Sequence, residues 1–163
     1  MRKNITKVFI IMMAVLAVAI TVHAENSNKG SWAGIADNAL NLAVGEEVVI
    51  QLNAEIPADK TLNAFSCMIM YDEKVLEVLD VAKVEKSAVT PKNINNDKEA
   101  GEIFVNGFDV TGVKGKLDAA IVNVTVKALE AGNANISVLF SAFGASADDQ
   151  FLPSVPPVKV TVH

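Results

Sequence analysis

Much of the chain alternates between apolar and polar residues, with turn-forming residues between the alternating segments. A period of two is typical of a β-strand with one buried face. The clearest such segment spans residues 62–71. Its bulkier residues are predicted to point into the core: Phe65, Cys67, Ile69 and Tyr71. The residues between them are predicted to face outward: Ala64, Ser66, Met68 and Met70.

Similar segments recur to the end of the chain and predict about eight or nine strands. They cover residues 40–52, 75–84, 101–109, 117–129, 136–140 and 158–162. A phase slip between Val78 and Leu79 predicts a β-bulge or a short bend. Residues 85–100 are polar and read as a loop with room for one short strand. Many short strands and turns, with no convincing amphipathic helix, predict an all-β sandwich.

The first 24 residues differ from the rest. Basic residues precede an apolar run at 8–20, which ends in Val-His-Ala, and this order is typical of a cleaved secretory signal peptide. Three units follow from this pattern: a signal peptide at 1–24, a flexible lead at 25–37 and one domain at 38–163. We therefore expect a secreted protein, extracellular or periplasmic, that leaves the membrane after cleavage.

Charge and composition narrow the function classes. Without its first 24 residues the chain keeps 11 of its 14 basic residues and all 19 acidic ones, a net charge of −8. Such a surface disfavours nucleic acid and anionic lipid as partners. His23 and His163 are the two histidines, so no internal histidine remains for a catalytic triad or a zinc site. We expect no enzymatic activity, no cofactor and no bound metal.

Two local features have ordinary structural explanations. Cys67 is the single cysteine, so no intrachain disulfide can form, and its apolar neighbours predict a buried thiol. The polar residues of 93–99 are similar to the start of a calcium loop. However, Lys98 occupies the position that needs glycine, and Phe104 the position that needs glutamate.

The residues at 71–78, Tyr-Asp-Glu-Lys-Val-Leu-Glu-Val, resemble a stretch typical of cohesin domains. Further segments match the family in the same order, at 44–48, 101–109, 115–117, 132–136 and 143–148. The resemblance covers about residues 38–163. It implies a nine-stranded jelly-roll sandwich that binds a dockerin on another protein, with calcium held by that partner.

The resemblance also implies that the partner binds one flat sheet face built around three strands. In this chain these strands are expected at 62–71, 103–109 and 117–127. The expected partner-binding residues are Ala64, Ser66, Met68, Met70, Asn106, Asp109, Ala119, Ile121 and Asn123. Many cohesins carry Asn and Asp on the first strand, where this chain has Ala64 and Ser66. This difference implies that recognition is more apolar, that the partner is a different one, or that no partner binds here.

Two alternatives remain open at this stage. The first is a carbohydrate-binding module of the related sandwich superfamily, with polysaccharide as its ligand. Sugar-binding modules of this kind present a strip of aromatic side chains, whereas Trp32 is expected in the flexible lead and Tyr71 is expected to point inward. The second alternative is a surface or assembly protein that keeps the fold without affinity for a dockerin.

Overall fold

A computed structural model describes residues 28–163. Within these residues, nine strands follow one another, with a single 3-10 turn at Ala36–Asn38. The strands are β1 (Asn28–Ala33), β2 (Ala39–Leu42), β3 (Glu47–Met70), β4 (Leu76–Lys83), β5 (Pro91–Asp97), β6 (Glu102–Ala128), β7 (Gly132–Gly144), β8 (Pro153–Ser154) and β9 (Val158–Val162). The expected jelly-roll β-sandwich is confirmed.

Two long strands, β3 and β6, contribute to both layers of the sandwich. In the layer that we call the front sheet, the order is β7, the second half of β3, the first half of β6, and β5. In the back sheet, the order is β1, the first half of β3, the second half of β6, and β4. The pairing of β3 with β6 is irregular between residues 54 and 64, where the chain passes from one sheet to the other.

A three-stranded ladder of β7, β9 and β2 and the short β1–β8 pair complete the fold. The start of β7 pairs with β9, which pairs in parallel with β2, and β8 pairs in parallel with β1. One hydrophobic cluster joins the inward side chains of both sheets, from Ile50 and Leu52 on the back to Phe65 and Ile69 on the front. The core therefore lies between the sheets.

The sandwich begins earlier in the chain than expected. Residues 28–33 form β1, and Trp32 lies opposite Leu52 of β3 with only 3% of its surface exposed. The expectation of a flexible lead reaching to residue 37, with a mobile tryptophan, is therefore wrong for this part. Burial of the large indole and the ladder to β3 fix the segment. The expected signal peptide and residues 25–27 lie outside the described residues.

The two predicted irregularities have different outcomes. The bulge near Val78 is confirmed, because the β4–β6 register skips Leu79, which is exposed. The predicted loop at 85–100 contains β5, the short strand for which it had room.

The second half of β6, in the segment predicted as a strand at 117–129, contains a bulge that the alternation of its residues did not reveal. Leu52 pairs with Val122, and the next residue of β3 pairs with Ala120, so Ile121 is the extra residue. Ile121 and Val122 are consecutive and both fully buried. A bulge of this kind turns two neighbouring side chains toward the same side of the sheet.

Candidate docking surface

The outer surface of the front sheet consists of rows of side chains that cross four strands. One row holds Leu139, Met68, Phe104 and Asn95. On one side lies a row of Ser137, Met70, Glu102 and Asp97, and on the other a row of Ala142, Ser66, Asn106 and Asn93. Directly opposite residues in neighbouring strands have Cβ atoms about 4.5–5.5 Å apart, so each row is a continuous line of contact.

Three members of the central row are apolar, and we call Leu139, Met68 and Phe104 the apolar stripe. The exposed fractions of Leu139 and Phe104 are 58% and 44%, and Met68 between them is half-buried. Single exposed apolar residues are common on protein surfaces, but contiguous ones often mark interaction sites. These three residues lie opposite one another on adjacent strands, so they form a contiguous apolar patch.

Amides and hydroxyls line one side of the stripe. The side-chain amide Nδ2 of Asn93 donates a hydrogen bond of 3.1 Å to Oδ1 of Asn106 across β5 and β6. The pair holds both amides in place and leaves the Asn106 amide group and the Asn93 carbonyl free for a partner. Ser66 stands beside them on β3.

The two ends of the surface differ in charge. At one end, Glu102 lies opposite Asp97, so two carboxylates meet across the β5–β6 ladder. Asp97 also accepts a hydrogen bond of 3.2 Å from the backbone N–H of Ala100. At the other end, the Lys92 ammonium lies 5.5 Å from the ring centroid of Phe108, within the range of a cation–π contact. A partner on this surface would therefore meet apolar groups in the middle, two carboxylates at one end, and Lys92 together with Asp109 at the other.

Gly107 lets Phe65 and the Thr90 backbone pack closely beneath this surface. A Cβ atom at this position would come within 2.6 Å of Phe65 Cε1 and of the Thr90 carbonyl oxygen. The strand can therefore carry no side chain there. As a result, Asn106 and Phe108 are held outward on either side of a buried backbone position.

Five of the predicted site residues share this surface. Ala64 is exposed, whereas Ser66, Met68, Met70 and Asn106 are half-buried, and all five point away from the core side of their strands. Asp109 lies at the end of the surface, where its carboxylate accepts a hydrogen bond of 2.8 Å from the Thr111 backbone N–H.

The other three predicted site residues lie elsewhere. The segment 117–127 pairs with the first half of β3 and with β4, so it belongs to the back sheet. Ala119 and Ile121 are fully buried, because the bulge at Ile121 shifts the alternation of the strand. Asn123 lies on the outer surface of the back sheet, between Gln51 and Ala82. The expectation that these three residues share the docking surface is wrong.

Three exposed residues of this surface were not among the predicted site residues: Phe104, Phe108 and Leu139. Phe104 alternates with two buried residues, Ile103 and Val105, and this pattern was available from the sequence. Leu139 likewise lies between Val138 and Phe140, which both pack on the core. No periodic pattern shows that β7 and β5 flank β3 and β6, because strand neighbours are fixed by long-range packing.

The shifted pKa values belong to groups away from this surface. Burial raises the pKa of the Cys67 thiol to about 12, and burial also raises the pKa of Tyr71. The hydrogen bond from Lys98 lowers the pKa of Glu77 on the back sheet. Within residues 28–163, no three His, Cys, Asp or Glu side chains are grouped so that they could hold a metal ion. No helix in the same range has the length and hydrophobicity to cross a bilayer.

Similarity to known proteins is found at the level of structure. No protein-family model matches the sequence, and no curated protein matches it significantly. The OlpC cohesin from Clostridium thermocellum, solved in complex with a dockerin, superposes with a TM-score of 0.67 at 19% identity over 86% of this chain and 96% of its own.

Two further solved structures are similar. The seventh ScaB type I cohesin from Pseudobacteroides cellulosolvens gives a TM-score of 0.62 at 20% identity, covering 84% of this chain and 92% of its own. A non-cellulosomal cohesin from the archaeon Archaeoglobus fulgidus gives 0.63 at 14% identity, covering 84% and 91%. The chain thus has a cohesin-like fold.

Proposed function

We propose that this chain is an exported, non-catalytic docking module that binds a dockerin-bearing protein on the outer surface of its front sheet. The observation that carries the proposal is the apolar stripe. Fully burying one side chain of this kind is worth about 1.5–3 kcal/mol relative to full exposure. Covering the exposed parts of three such side chains therefore stabilises a complex by a few kcal/mol.

The rim of the surface favours a protein partner over a small apolar ligand. Interfaces between proteins combine an apolar centre with a polar rim. Here the rim consists of the Asn93–Asn106 pair on one side and Glu102 with Asp97 at one end. The solved cohesins of similar fold include domains in complex with dockerins, and we propose a dockerin as the partner because of this similarity.

Calorimetric titration of the domain with a panel of calcium-loaded dockerin modules tests the proposal. We expect at least one module to bind, and chelation of calcium to abolish binding, because the partner holds the metal. The thermal midpoint of this domain alone should not change with chelator. Absence of binding to every module in the panel would contradict the dockerin assignment and would favour an assembly protein that keeps only the fold.

One observation favours a second candidate, a carbohydrate-binding module. Phe104 and Phe108 are both exposed on the outer surface of β6, and their positions along an extended strand are about 13 Å apart. Two aromatic rings on one face can stack on a polysaccharide. Titration with soluble oligosaccharides distinguishes the candidates, since Phe104→Ala would abolish sugar binding while Met68→Asp would leave most of it intact.

A further inference from the structure

The only methionines among residues 28–163 lie together on the candidate docking surface. The chain has five methionines, three of them within residues 1–13. The other two, Met68 and Met70, are two residues apart on β3, and both side chains are half-buried on the outer surface of the front sheet. Oxidation of methionine in the described domain would therefore act on this surface alone.

The remaining sulfur atom is protected. Cys67 lies between the two methionines in sequence but points to the opposite side of the strand, where it is fully buried. Its thiol has a pKa raised to about 12 by burial, so the reactive thiolate is scarce at neutral pH. An oxidant reaching the front sheet from solution thus meets thioethers and no thiolate.

The two methionines differ in their neighbours. Met68 lies between Phe104 and Leu139 at the centre of the apolar stripe. Met70 lies between Glu102 and Ser137, in the polar row beside the stripe. A change of polarity at Met68 would interrupt the stripe, whereas the same change at Met70 would add one polar group to a row that is already polar.

We propose that Met68 is an oxidation site that weakens partner docking when peroxide converts its thioether to a sulfoxide. The sulfur lone pair attacks one oxygen of hydrogen peroxide, the O–O bond breaks, and a sulfur–oxygen bond forms. Sulfur loses two electrons, the transferred oxygen gives up its proton, and the leaving hydroxide takes up one proton to become water. The product is a polar, chiral side chain in place of a flexible apolar one.

The consequence for docking follows from desolvation. A partner that covers the stripe must remove water from the sulfoxide oxygen, and an apolar partner surface offers no hydrogen bond in return. This inference rests on the proposed docking function. The fold itself should tolerate the change, because the side chain points away from the core.

The experiment treats the folded domain with hydrogen peroxide and locates sulfoxides by peptide mass spectrometry. Affinity for a dockerin module that binds the untreated domain should fall at least tenfold, or about 1.4 kcal/mol. The circular dichroism spectrum should not change. Each variant is compared with its own untreated form. Met68→Leu keeps an apolar side chain of similar volume but has no sulfur at this position, so its affinity should not fall on treatment with peroxide. Met70→Leu, the matched control, should stay sensitive.

Two results would overturn the proposal: a folded domain in which Met68 resists peroxide, or equal loss of affinity in treated Met68→Leu. Retention on a phenyl column supplies a readout that needs no partner. Peroxide should reduce retention of the wild type and of Met70→Leu, but not of Met68→Leu. If no dockerin binds the untreated domain, the docking function fails, and the column alone decides whether Met68 controls the polarity of the stripe.

Discussion

The outer surfaces of the two sheets differ in what they present to solvent, although each is formed by strands with buried inner faces. The back sheet carries a line of alternating charges, in which Lys127 lies between Glu47 and Glu77. Lys127 forms an ion pair of 3.7 Å with Glu47, and Lys98 forms one of 2.7 Å with Glu77. The middle of the front sheet carries the apolar stripe instead.

This contrast bears on which surface is suited to the proposed docking. Exposed ion pairs contribute little to stability, but they keep a surface well hydrated. Val49 is also exposed on the back sheet, at 59%, yet its neighbours across the ladder are Thr125 and Asp80. An isolated apolar residue among polar ones forms no patch, whereas Leu139, Met68 and Phe104 form a contiguous one. The front sheet is therefore the surface with free energy to gain from being covered.

The largest effect on stability is expected from a charge placed on the buried side of β3. Ile69 is fully buried, and Ile69→Asp would place a carboxylate in the core at a cost comparable to the whole free energy of folding, about 5–15 kcal/mol. We expect this variant to be unfolded by circular dichroism. Met68→Asp, one residue earlier and facing outward, should fold. Equal unfolding of both variants would show that the front surface belongs to the core.

The next effect tests whether β1 belongs to the sandwich. Trp32→Ala removes a buried indole and should lower the free energy of unfolding by about 3–5 kcal/mol. Urea denaturation measures this change directly. Ser31→Ala, on the exposed side of the same strand, is the control and should change stability by less than about 0.5 kcal/mol. Similar values for the two variants would mean that β1 is not packed on the core.

A third variant tests the close approach of Gly101 to the Tyr71 backbone at one end of the front sheet. Gly101 has a φ of +65°, and a Cβ atom there would clash with the backbone carbonyl oxygen of Tyr71. Gly101→Ala should therefore destabilise the domain by about 2–4 kcal/mol. Gly34→Ala shares the positive φ, at +80°, but meets no atom within 4 Å, so it should cost less in the same denaturation assay.

The smallest effect concerns the charged back sheet and its response to pH. The hydrogen bond from Lys98 lowers the folded-state pKa of Glu77 below its ordinary value of 4.5. A lowered pKa contributes stability above the unfolded-state value, and this contribution is lost as pH falls through the folded-state value. The thermal midpoint should thus fall less between pH 6 and pH 3 in Glu77→Gln than in the wild type. An unchanged pH profile would contradict a stabilising Lys98–Glu77 pair.

The sequence predicted the fold class, and the reason is physical. Alternation assigned Phe65, Cys67, Ile69 and Tyr71 to the core, and all four are buried. In segments of this kind, the pattern of side chains follows directly from the period of the strand. The bulge at Leu79 was also visible, because it interrupts the alternation of large residues.

The candidate docking surface was predicted only in part. Ile121 forms a bulge, and Ala119 lies two residues before it, within a mostly apolar run where alternation does not define which side is buried. The sheet to which 117–127 belongs depends on pairing with residues 47–54, far away in sequence. Trp32 was wrongly predicted to lie in a flexible lead for a related reason. The short segment around it has no alternating pattern of its own and is fixed by pairing with β3.

The most direct test compares two variants of the same strand. Met68→Asp places a carboxylate at the centre of the apolar stripe, and Val49→Asp places one on the outer surface of the back sheet. Both variants should fold. Calorimetric titration with a dockerin module that binds the wild type should show at least a hundredfold loss of affinity for Met68→Asp, because an unpaired charge must be desolvated in the interface. Val49→Asp should bind like the wild type. Equal affinity for the two variants, or a larger loss for Val49→Asp, would contradict docking on the front sheet.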